Sequence, residues 1–204
     1  MKYPNAYKGE KKLLISEILN VIASAGNFAV GLLIVIIGSN TGEKIEMAML
    51  ITSLVATFVG IIAFIIQLIG LNQARKDEPQ FKTALVFAIV GIAASAVFII
   101  TSGSFANFFS GINEVATQLV SIYTILGIHS LALKLGDKKI EKWAKIATVA
   151  VAVVFAFAVM DRLIVIFNPH FDTVMDICCS GLELFAHVIF LVMLAHAKTM
   201  LSRQ

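Results

Sequence analysis

The stretch "LLISEILNVIASAGNFAVGLLIVIIG", residues 13–38, decides how the chain is to be read. Preceded by "MKYPNAYKGEKK" (1–12), it resembles a secretory leader, with a basic start, an apolar middle and small residues at "ASAG" (23–26) where a peptidase would cut. Glu17 and Asn20 interrupt that apolar middle, however, and "NFAVGLLIVIIG" carries it on to residue 38. The reading is therefore a retained first membrane helix.

Five more apolar runs follow, so helices are expected near 12–38, 45–71, 82–102, 113–135, 141–167 and 172–197. Each covers the ~20 residues needed to cross the hydrocarbon core. Gly and Pro mark the joints in "GSNTGEK", "KDEPQF", "TSGSFANFFSG", "LGDKK" and "NPHF". Composition agrees: 59% of residues are hydrophobic and 14% charged, against about 25% charged in soluble domains. Mean hydropathy is +0.92. Backbone groups in lipid must be satisfied internally, and runs this long exclude a barrel. The fold class is all-α: an integral membrane bundle of six transmembrane helices forming one polytopic domain over 1–204.

Lysine and arginine set the expected direction. Lys2, Lys8, Lys11 and Lys12 lie before the first helix, and Arg75, Lys76 and Lys82 around the second connection. Lys134, Lys138, Lys139, Lys142 and Lys145 flank the fourth connection, with Lys198 and Arg203 in the tail, whereas connections one, three and five hold only Lys44. This alternation puts both termini in the cytoplasm, with the chain in the cytoplasmic (inner) membrane. The lysines double as anionic-lipid contacts. The net charge of +3 reflects these loops and points to no nucleic-acid partner.

The helices also read as three repeated hairpins. Each even-numbered helix begins with an acid followed at a fixed distance by a small residue: Glu46 and Ser53, Glu114 and Ser121, Asp172 and Cys179. Internal repeats of this kind often hold a transporter's site at their interface. An acid at a helix N-terminus also meets the macrodipole favourably, which is the plainer explanation.

"DTVMDICCSGLELFAH" (172–187) carries the candidate site. At ~100° per residue, Asp172, Asp176, Cys179, Glu183 and His187 form one stripe, which should face the bundle interior because a carboxylate at the bilayer centre is costly. Arg162 falls level with Asp176, giving an expected structural ion pair near the outer surface. Glu183 lies roughly 16 Å from the outer end, close to the midplane. A fourth-helix face of Glu114, Gln118, Ser121 and His129 has the same spacing, and counting inward from the outer ends aligns His129 with His187. With Asn27 of the first helix, the expected substrate- or ion-binding cluster is Asn27, Ser121, His129, Cys179, Glu183 and His187.

In outline, with six helices, 204 residues and inside termini, the chain resembles the substrate-binding subunits of energy-coupling-factor vitamin transporters. The resemblance implies a small-xxx-small stripe on helix one that docks a membrane partner, and Ala25 and Ala29 in "ASAGNFA" supply that spacing. A homo-oligomer through the same face is the other form of partner.

Three function classes follow. A titratable midplane acid suits a small-solute or cation transporter, or its substrate-binding subunit. Alternatively, His129 and His187 ligate a haem iron from both sides, or Cys179, Glu183 and His187 hold a transition metal with His129. The third class is a non-catalytic accessory or regulatory subunit. No phosphate loop, HExxH, CxxC or nucleophile elbow is present, so an enzyme is the lesser expectation. Adjacent Cys178 and Cys179 diverge on a helix and supply no disulfide framework.

Overall fold

The computed structural model describes residues 2–37, 43–167 and 172–203, with side chains described at all of these except 37, 43, 44, 104, 107, 161–167 and 172–176. Six helices appear where six apolar runs were read: α1 (Pro4–Ile37), α2 (Glu43–Ala74), α3 (Pro79–Ile100), α4 (Ser104–Leu135), α5 (Lys138–Phe167) and α6 (Asp172–Ser202). All six are long and apolar enough to span a membrane, and the described residues form no strand. The chain is an all-helical, multi-pass membrane protein.

Two helices start earlier than expected. Pro4 opens α1, at the first-turn position where a missing N–H costs nothing. In "TSGSFANFFSG", read from sequence as a joint, only residues 101–103 leave the helix, with Gly103 at φ 65°, and α4 begins immediately after them. The α4–α5 joint behaves as read: Gly136 ends α4 in the left-handed region, and Asp137 Oδ1 accepts from the backbone N–H of Lys139 and Ile140 at 3.1 and 3.2 Å.

The helices close a ring in chain order, with α6 packing back on α1 and the α2–α3 seam the loosest join. The core fills one half of the ring, the half that carries the termini. There Leu13, Leu71, Phe81, Ile128, Met193 and Leu194 are buried together. At the other end Ile36 is 75% exposed and Ile100 81%, as expected of side chains meeting acyl chains.

Close helix approach explains that division, because helices in lipid associate through packing rather than through hydrophobic transfer. α1 and α2 touch at Gly9 and Gly70, where a Cβ added to Gly9 would stand 2.6 Å from the Gly70 carbonyl oxygen. Further along, the Ser16 hydroxyl donates to the Ala63 carbonyl at 2.7 Å. α3 and α4 meet where the Phe81 ring lies against Gly127, 2.9 Å from where a Cβ would be.

Polar ties cap the same end. The Asp77 carboxylate, in the α2–α3 turn, accepts from Asn5 Nδ2 at 2.9 Å and from the Ala6 backbone N–H at 2.7 Å, capping α1 from another part of the chain. Buried Glu78 pairs with Lys134 of α4. The termini-bearing end is thus both packed and tied.

Candidate functional site

Just beyond the packed half, α1 and α6 each place one titratable side chain. Glu17 is buried and receives His187 Nδ1 at 2.6 Å on Oε1 and Asn20 Nδ2 at 3.3 Å on Oε2. Both carboxylate oxygens are therefore engaged. Only 3% of the Glu17 side chain is exposed, against 33% of the His187 side chain, so the imidazole is the more accessible partner.

His187 also stands between two cavities. The first, about 230 Å³, is lined by Glu17 and His187 together with Asn20, Gln67, Asn113 and Thr117. Phe64 and Phe87 supply its aromatic wall, and Phe87 stacks on Tyr123 at 5.5 Å. The second, about 160 Å³, holds Glu183 and Gln118 against Val151, Val154 and Phe190. Thr117, Ser121 and His187 line both, so they form the shared wall.

The lining is rich in acceptors. Thr117 donates its hydroxyl hydrogen to the Asn113 carbonyl at 2.9 Å, and Ser121 donates to the Thr117 carbonyl at 3.4 Å. What these hydroxyls can still offer is oxygen lone pairs. Glu17 and Glu183 add carboxyl oxygens, and among the described residues no lysine or arginine lines either cavity. Glu183 sits in the electrostatic field of His187 and of Glu114 on α4.

The structure brings together three of the residues singled out from sequence, Ser121, Glu183 and His187. Cys179 is half-buried and Cys178 exposed, and neither lines these cavities. Asn27 is exposed on α1, as are Ala25 and Ala29. His129 lines a separate space with Lys145 and Thr148, facing α5. The depth alignment of His129 with His187 does not hold, because α4 starts at Ser104 and its Ser121 stands beside His187. Eight residues further on, His129 lies about 12 Å deeper. The two imidazoles thus do not converge for two-sided haem ligation, and no group of three His, Cys, Asp or Glu among the described residues has metal-holding geometry. The side chains of Arg162 and Asp176, expected to pair, lie outside the described residues.

Glu17, Asn20, Gln67, Asn113 and Thr117 were not singled out as site residues from sequence. Glu17 and Asn20 did carry a signal, as polar residues one turn apart inside an apolar run. No family model, curated protein or solved structure matches the chain.

Proposed function

We propose that the chain binds and carries a small cationic solute, with the Glu17–His187 pair as the charged element of its site. The observation that carries this reading is the Glu17–His187 pair on a polar cavity inside an apolar bundle, with no lysine or arginine among the described residues that line it. Keeping carboxyl groups at such depth is costly, and ionisable groups there ordinarily mark a substrate or ion path. A cation would meet carboxyl oxygens of Glu17 and Glu183, and Phe64 and Phe87 suit its apolar surface.

Direction follows from the lysines. The α2–α3 and α4–α5 connections gather with both termini at the packed end, tied through Asp77 and the Glu78–Lys134 pair. We place this basic end in the cytoplasm of a cytoplasmic membrane. The site then lies on the outer side of the cytoplasmic seal.

Uptake into proteoliposomes tests the reading, using a panel of inorganic and alkylammonium cations. The expected result is saturable accumulation of at least one cation, reduced about tenfold or more by Glu17→Gln (a loss of 1.4 kcal/mol of binding is tenfold). Equal uptake by liposomes with and without the protein, across the whole panel, contradicts it.

A further inference from the structure

His129, which stands apart from the α6 site, belongs to a groove on the outer face of the bundle. The groove measures about 330 Å³ and runs between α4 and α5, lined by Leu126, His129, Ala144, Lys145, Thr148 and Val149. On the same two helices Ile125, Ile128 and Ala147 are buried, whereas Leu126, Lys145 and Val149 are exposed. The groove therefore opens away from the core.

Its two ends differ in depth and in chemistry. α5 has 30 residues, roughly 45 Å, which matches a bilayer with its headgroups at about 40–45 Å. Lys145 is seven residues from the start of α5, and His129 seven from the Gly136 cap of α4, about 10 Å inward in both cases. Headgroups give way to acyl chains near that level. Trp143, stacked on His196 at 5.8 Å, marks the same level, because tryptophan favours the membrane interface. Leu126 and Val149, both apolar, lie about 5 Å deeper. Thr148 donates its hydroxyl hydrogen within α5, to the Ala144 carbonyl at 2.9 Å.

The shallow end is basic. Lys138, Lys142 and Lys145, at i, i+4 and i+7, form one exposed stripe of α5 that leads into the groove. Of the nearby acids, Asp137 caps α5, and Glu141 makes no ion pair among the described residues.

We propose that this groove holds one anionic phospholipid of the leaflet on the termini side, its phosphate against Lys145 and His129 and an acyl chain along Leu126 and Val149. The Lys145 ammonium and an imidazole N–H of His129 donate to the phosphate oxygens. Polarity along the groove selects an amphiphile over free phosphate, because its basic end is at headgroup depth and its apolar end at acyl depth. The groove is separate from the Glu17–His187 cavity, so this proposal stands whether or not the chain carries cations.

Native mass spectrometry of the full chain in detergent tests it, with dioleoylphosphatidylglycerol, dioleoylphosphatidylcholine and inorganic phosphate as probes. The expected result is one phosphatidylglycerol retained in preference to phosphatidylcholine, with no binding of inorganic phosphate alone. Lys145→Gln lowers phosphatidylglycerol affinity about fivefold, the worth of one lysine near an anionic surface, and Lys145→Arg keeps it. His129→Leu lowers it as well, by removing the second donor. Lys76→Gln, an exposed lysine of the α2–α3 turn at the same end of the bundle, leaves it unchanged.

Equal retention of the two lipids by the unsubstituted protein overturns the proposal and marks the groove as a place for any acyl chain. An equal loss from Lys76→Gln and Lys145→Gln overturns it too, in favour of diffuse surface charge. Binding of inorganic phosphate alone, abolished by Lys145→Gln, would make the ligand a free anion instead of a lipid.

Discussion

Glu17 and His187, separated by 170 positions, meet at 2.6 Å across the α1–α6 interface and join the two ends of the chain in the interior of the bundle. Asn20 holds the second carboxylate oxygen, so the pair is one network of three side chains.

Removing one member of such a pair leaves the other buried and uncompensated, which typically costs about 3–5 kcal/mol. His187→Gln is therefore expected to lower thermal stability in detergent more than the double substitution Glu17→Gln with His187→Gln. A double-mutant cycle on melting temperature checks this. Simple additivity of the two single effects would mean that the contact contributes no coupling.

Helix approach at Gly9 and Gly127 leaves no room for a side chain. Gly9→Ala would drive a Cβ against the Gly70 carbonyl and the Ala74 backbone nitrogen, and Gly127→Ala would meet the Phe81 ring. Each should cost about 1–3 kcal/mol, the usual penalty of overpacking. Gly60→Ala meets open space and should be neutral or slightly stabilising, since alanine is the better helix former. Thermal unfolding of the three variants separates these cases, and equal melting temperatures would show that the crossings are looser than described.

Glu10 is buried, and its Oε1 has no hydrogen-bond partner among the described residues. An unsatisfied buried polar atom costs about 1–3 kcal/mol. Glu10→Met keeps the volume and removes that cost, so it should raise the melting temperature. A fall would show that the carboxyl has a stabilising partner.

Asp77 caps the first turn of α1 from the α2–α3 connection. Asp77→Ala should cost about 1 kcal/mol, the usual worth of a cap, and should free the amide of Ala6 to exchange with solvent. Hydrogen–deuterium exchange over residues 4–12 is the measurement, and unchanged protection would remove Asp77 from the role.

The helices were legible because long apolar runs leave the backbone few alternatives in lipid, and the turn chemistry of Gly136, Asp137 and Pro79 agrees with their positions. The start of α4 was obscured because "SFANFF" follows a glycine-rich turn and carries polar residues, although nothing in it stops a helix after Gly103. That nine-residue difference passed directly into the site. It moved the whole of α4 relative to α6 and brought His129 to a level where it does not belong; of the two expected stripes, Gln118, Ser121, Glu183 and His187 line one cavity, although Glu183 is also exposed. Asn27 was chosen by depth, yet it lies about 80° round α1 from Glu17. Glu17 itself was read only as an interruption of an apolar run. Its partner is on the last helix, and no local pattern announces a contact of that range.

The account depends above all on Glu17 and His187 forming a protein-sheltered pair in the bilayer. Solid-state NMR of the protein in lipid, with ¹³C at the Glu17 carboxyl and ¹⁵N at the His187 ring, measures this directly. A carbon–nitrogen dipolar coupling corresponding to a separation under about 4 Å is predicted from the hydrogen-bond geometry. No detectable coupling, with the Glu17 carboxyl instead showing contacts to lipid acyl chains, would contradict it.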